Sequence, residues 1–181
     1  MKVGMLVRRF PKLSETFILN QVTGLVDAGI DVDIFAWTPG DDTAIHSDVR
    51  TYGLPDRTHY IQPPRSRTGR LVAALGSWQH PGLVLRSFRV RGSARPTSPL
   101  ARAYAAATVL SQGPHDIIHC QFGQLGLVAM TLRELGALPG RLIVAFRGAD
   151  LTVDPDVEGY RALFQEADLF LPVCEVFKDR L

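Results

Sequence analysis

The chain has 181 residues, 46% hydrophobic and 21% charged, so it is long enough for one well-buried domain and ordinary in its balance. No apolar run approaches the ~18 residues that a bilayer span needs, and two cysteines, Cys120 and Cys174, make no disulfide framework. The net charge of +2 is unevenly spread: Arg57 to His115 contains nine arginines and no acidic residue, a sum of +9 that leaves −7 for the rest. The first apolar run, Val3 to Val7, is broken at once by Arg8 and Arg9 and does not read as a signal peptide. Both cysteines end predicted strands and read as small buried thiols, and a reducing, cytoplasmic setting is expected.

In chain order, Lys2–Val7 reads as a strand. A helix follows over about Glu15–Ala28, with Ser14 as its cap, Gly29 as its end and Ile18, Val22, Leu25 and Val26 as its apolar stripe. Ile30–Trp37 reads as a second strand, Val32, Ile34 and Ala36 alternating against Asp31 and Asp33, and a short third strand is expected near His59–Gln62. The basic segment, about residues 64–113, reads as a helical insert of two or three helices. Their stripes would be Leu71, Val72, Leu75 and Trp78, then Leu83, Val84 and Phe88, then Leu100, Tyr104, Ala107 and Leu110. Strands at Asp116–Cys120, Leu142–Phe146 and Leu169–Val173 alternate with helices at about Gln124–Leu135 and Val157–Ala167, and a last short helix begins near Glu175. The helix at Gln124–Leu135 would turn Leu125, Val128, Leu132 and Leu135 inward and end at Gly136. Strand–helix alternation implies an α/β fold, a doubly wound parallel sheet of about six strands in one domain.

Three strands empty into polar clusters, and ligands of open parallel sheets gather beyond such carboxyl ends. The first turn, RRFPKLSET, has no glycine, which argues against the close backbone approach to a pyrophosphate that GxGxxG provides, and so against a nicotinamide-dependent dehydrogenase. Ser14, Glu15 and Thr16 open a helix whose free amides suit an anion or a sugar hydroxyl. His119 and Gln121 follow the fourth strand and could hydrogen-bond a sugar; Pro114 and the strand pattern deny His115 and His119 the helical face a metal pair needs. After the fifth strand, Gly148 would permit a tight turn, Arg147 could pair with a phosphate, and Asp150 could fix Arg147 or a hydroxyl. No aromatic-basic motif accompanies the arginines, so nucleic acid is not an expected partner.

FPKLSETFILNQ, HCQFG, FRGADLT and ADLFLPVCEVFKDRL, in that order, resemble the amino-terminal half of family 4 glycosyltransferases, in the colanic-acid and exopolysaccharide branch. The resemblance implies a GT-B architecture of two Rossmann-like domains, with a Rossmann-like acceptor-side domain here. It implies sugar transfer with retention of configuration, no metal and no bound cofactor. A nucleotide-sugar would be the co-substrate of the full-length enzyme, and the acceptor a glycan or lipid-linked saccharide. By the same resemblance Ser14, Glu15 and Thr16 lie beside the reacting sugars and Gly148 and Asp150 line the site; no catalytic residue is singled out. The donor-binding domain would lie beyond Leu181, and the half-enzyme would be inactive alone; the alternative is a non-catalytic Rossmann-like module binding glycan or a partner. Three positions depart from the pattern: Arg147 and Gln121 stand where relatives usually carry histidine, and Cys174 where they usually carry serine. The arginine-rich segment with Trp78 and Phe88 would suit an anionic lipid surface at the inner membrane face.

Overall fold

A computed structural model describes residues 1–40, 45–63, 81–90, 98–148, 150 and 157–178. Its elements are β1 (Lys2–Phe10), α1 (Thr16–Asp27), β2 (Asp31–Pro39), α2 (Ser47–Thr51), a 3-10 turn (Leu54–Arg57) and β3 (Thr58–Tyr60). Then come α3 (Pro81–Arg89), α4 (Pro99–Ser111), β4 (Ile117–Cys120), α5 (Gly123–Glu134), β5 (Arg141–Phe146), α6 (Val157–Glu166), β6 (Leu169–Pro172) and α7 (Glu175–Lys178). The six strands form one sheet in the order β3-β2-β1-β4-β5-β6, every pair parallel. This is the Rossmann order: strands run outward from β1 in one direction, then outward from β4 in the other, and the reversal leaves a crevice beyond the β1 and β4 tips.

Both faces of the central strands are covered, which is why they read as near-continuous apolar runs. On one side α1 and α2 close Met5, Val7, Ile34 and Ala36 under Ile18, Val22 and Val49. On the other, Leu6, Phe35, Ile118, Cys120, Val144 and Phe146 meet α3 to α6. Phe146 anchors α6 through Tyr160, edge-on at 5.3 Å, and Phe164, stacked at 5.5 Å between ring centres. Gly29 and Gly136 end α1 and α5 with φ of 72° and 83°, left-handed values at which a side chain would be strained.

Several expectations change. β1 runs on through Arg8 and Arg9 to Phe10, because pairing with β2 continues to Arg9–Thr38 and Phe10–Pro39. Asp33 is buried rather than solvent-facing, because Lys2, His59 and His115 close around it. The carboxylate takes the Lys2 ammonium and His115 Nε2, each at 2.9 Å, and His59 Nε2 at 3.4 Å. Burial raises its pKa, but the hydrogen bonds from Lys2 and His115, the Lys2 charge and His59 together outweigh burial and hold it below the usual value.

α4 buries Ala103, Ala105, Ala106 and Val109, while Leu100 of the expected stripe is exposed; small side chains let this helix lie close on the sheet. In α3 Leu83 is buried, but Phe88 is 64% exposed and stands with Leu85, 60% exposed, on the outer face. The stripe through Leu71 and Trp78 lies outside the described residues. Cys120 is buried, its thiol pKa pushed up by burial, whereas Cys174 is exposed because the chain has already left the β6 edge. Among the described residues no helix is long and apolar enough to cross a membrane.

Candidate functional site

The tip of β1 turns at Pro11, after a cis peptide bond, and a hydrogen bond from Glu15 N to Lys12 O at 3.2 Å closes the turn that starts α1. Glu15 itself is the N-cap residue and makes no side-chain cap. The expected Ser14 cap is therefore corrected: the turn delivers the chain one residue later, and Ser14 stands exposed in it, with Thr16 exposed at the first helical position. Glu15 turns back instead. Its Oε1 accepts from Lys12 Nζ at 2.8 Å, while Oε2 is buried without a hydrogen-bond partner. Beside this turn a shallow hollow is lined by Phe10, Lys12, Glu15, Thr16, Ile45 and His46.

β4 delivers His119 and, one step beyond its end, Gln121, which prolongs the pairing with β1 through Gln121 N to Leu6 O at 3.0 Å. His119 is 6% exposed and Gln121 0%. Burial, then the nearby Arg147 charge, pushes the His119 pKa down to about 4, so the ring is neutral near pH 7. Its Nδ1 lies 3.2 Å from Gln21 Nε2 on α1, and its Nε2 is buried with no partner.

β5 delivers Arg147. The guanidinium does not reach for Asp150 as expected: NH2 donates to Gln121 Oε1 at 2.8 Å, Nε donates to Gln121 O at 3.2 Å, and the group lies 3.9 Å above the Phe17 ring. Burial lowers its pKa, and the Asp150 and Glu15 charges oppose that. Asp150, 3% exposed, takes the Arg147 backbone N–H at 2.9 Å, with Asp150 N donating back to Arg147 O at 2.9 Å. This is the reach of a capping-box carboxylate. The Gly123 and Gln124 amides at the start of α5 and the Tyr160 hydroxyl also favour the charged carboxylate; burial raises its pKa and these polar groups, with the Arg147 N–H, oppose the rise. Asp150 thus ties two strand tips together. Gly148 is exposed in the tight turn that the Asp150 N to Arg147 O bond closes, but its φ is not positive and an added Cβ there would meet nothing within 4 Å, so the turn does not require glycine at this position.

The structure therefore joins His119, Gln121, Arg147 and Asp150 through direct bonds or shared partners, and sets Glu15 within electrostatic reach of Arg147. Ser14, Thr16 and Gly148 lie at the rim, exposed. Sequence reasoning missed Gln21, Phe17 and Tyr160. Phe17 and Gln21 are one helical turn apart and flank the buried Ile18 and Val22, a position from which a polar side chain can reach the sheet. Among the described residues no group of three or more His, Cys, Asp or Glu could hold a metal ion.

A model of the glycosyl transferase 4-like domain matches residues 14–181. The chain belongs to that family. It is 33% identical over 191 residues to an amylovoran biosynthesis glycosyltransferase of Erwinia amylovora, and 30% identical over 196 residues to a putative colanic acid biosynthesis glycosyltransferase of Escherichia coli. A similar protein of Salmonella typhimurium is 30% identical over 189 residues. Each likeness covers 100% of this chain but 47% of the relative, so the chain spans about half the length of the curated relatives it matches. The six-stranded parallel sheet is the form expected of the amino-terminal half of a GT-B glycosyltransferase.

Proposed function

We propose that this chain is the acceptor-binding half of a retaining glycosyltransferase of bacterial exopolysaccharide assembly, taking a glycan or lipid-linked saccharide, with a nucleotide-sugar held by a second half. The observation that carries the reading is two buried, unpartnered polar atoms of opposite character, Glu15 Oε2 in the turn after β1 and His119 Nε2 on the adjacent strand β4. Leaving such atoms unmade costs about 1–3 kcal/mol each, a cost a ligand with hydroxyls would recover. A carboxylate oxygen accepts and an imidazole N–H donates, which is the complement of a sugar hydroxyl. Holding that hydroxyl beside the anomeric carbon is the contribution an acceptor domain makes to rate. Positive groups for a departing diphosphate are a different matter, because Arg147 is spent on Gln121 and Phe17.

The test is turnover by the purified chain with UDP- and GDP-activated sugars and an oligosaccharide acceptor. No transfer is expected, together with saturation-transfer NMR signals from the oligosaccharide that weaken in Glu15→Gln and His119→Phe; measurable transfer would overturn the half-enzyme reading. The engaged state of Arg147 also favours a second reading, a non-catalytic glycan-binding module. Sugar transfer appearing when the chain is produced with a second α/β unit of similar length would exclude it.

The outer face of α3 supports peripheral contact with anionic lipid, with the exposed Leu85 and Phe88 neighbouring the exposed Arg86 and Arg89. Flotation with anionic but not neutral vesicles is expected, and equal recovery from both would remove this contact.

A further inference from the structure

Hydrogen-bond polarity runs in one direction through the network behind the strand tips. A guanidinium has donors only, so the Gln121 side-chain oxygen must face Arg147, at 2.8 Å. That turns the Gln121 amide nitrogen toward Gln21 Oε1 at 2.8 Å and Met5 Sδ at 2.9 Å, which occupies both of its protons. With its oxygen thus engaged, Gln21 has only its amide nitrogen to offer His119 Nδ1, at 3.2 Å. An amide nitrogen does not accept, so Nδ1 is the bare lone pair and the ring proton sits on Nε2.

We propose that Gln21 and Gln121 are positioning residues that carry the donor-only character of Arg147 to His119, locking the Nε2–H tautomer so that this atom donates to an acceptor oxygen of the bound saccharide. The saccharide part rests on the acceptor-binding reading above; the tautomer part does not. Burial keeps the ring neutral, with a pKa of about 4, so near pH 7 it holds one proton and the network decides where. The Nε2 atom is buried and has no partner, so the orientation is not set by any bond at that nitrogen. It is set from the far side of the ring, by Gln21, 98 positions from His119 along the chain and itself bonded to Gln121, 100 positions from it. Arg147 and Gln121 then act as one unit: the arginine supplies the polarity and the glutamine passes it on.

The experiment is long-range proton–nitrogen correlation NMR at neutral pH on the chain labelled with nitrogen-15 histidine, His119 being assigned by its loss in His119→Gln. The Nε2–H tautomer is expected in the native chain, and Nδ1–H there would overturn the proposal. The sharper variant is Gln121→Glu, nearly isosteric and still able to accept from Arg147. The new carboxylate cannot donate to Gln21, so Gln21 turns its nitrogen to it and its oxygen to His119, and Nδ1 becomes protonated. A bare Nδ1 in folded Gln121→Glu would overturn the relay, since a residue that merely fills space would not move a proton two links away. Should that variant lose its far-ultraviolet circular dichroism, Gln21→Glu poses the same question beside the ring, with the same two outcomes. Failure of oligosaccharide binding with the native tautomer Nε2–H would count against the acceptor reading and leave the relay standing.

Discussion

Two buried polar networks sit on this sheet, and they differ in how they end. At the amino-terminal side, Asp33 gathers Lys2, His115 and His59 around one carboxylate, and Lys2 Nζ also donates to Gln112 O at 2.6 Å. The Asp33 network closes on itself. Toward the carboxyl tips, Arg147, Gln121, Gln21 and His119 form an open chain that stops at a nitrogen with no partner, and a Glu15 oxygen in the turn after β1 is in the same condition. A closed network stabilises the fold it sits in. An open one holds unmet hydrogen-bonding capacity that a ligand could meet, a difference the residue types do not show, since both networks use histidine and a basic residue.

The comparison breaks most visibly at Asp33. Asp33→Ala would take the counter-charge from a part-buried Lys2 ammonium and the hydrogen-bond acceptor from buried His115, and should cost about 3 kcal/mol in urea denaturation. A loss below about 1 kcal/mol would mean the amino-end network is not structural. Next in size are two acid windows. The His119 pKa falls from its ordinary 6.5 to about 4, so below pH ~6.5 the unfolded chain binds a proton that the native ring refuses. Stability should fall by about 3 kcal/mol as pH drops between those values, and His119→Gln should flatten that slope. Asp33 works lower: its depressed pKa stabilises the fold above the ordinary carboxylate value and that contribution is lost only as pH falls below it, so Asp33→Asn should change the acid limb there and leave the higher window alone.

Arg147→Met comes third, removing two charge-assisted bonds to Gln121 and the stack on Phe17, for about 2 kcal/mol of stability. Smallest is Ser14→Ala. Ser14 is exposed and does not cap α1, so thermal or urea unfolding should move by less than about 0.5 kcal/mol, whereas a capping serine would lose about 1 kcal/mol.

The six-stranded parallel sheet was legible because strand-like apolar runs alternate with helical stripes, and the tips of β1, β4 and β5 could be named from the polar residues that follow each run. Pattern misread Asp33, since alternation sends every polar position to solvent as it does the exposed Asp31; the partners that make its burial tolerable come from Lys2, His59 and His115, which no local window contains. Gln21 was hidden for a related reason. It closes FPKLSETFILNQ as an ordinary polar residue on an amphipathic helix, and its meaning lies in Gln121, 100 positions away. The mistaken Ser14 cap is a local error: serine before a helical run is a sound signal, but the turn through Pro11 moved the helix start by one residue.

Asp150 has a mechanical consequence. One side chain grips the turn after β5 and the first amides of α5, so the fourth and fifth tips cannot shift independently. Any tug on Gln121 or Arg147 is passed to the start of α5 as well, and that rim of the crevice must yield as a single stiff lip.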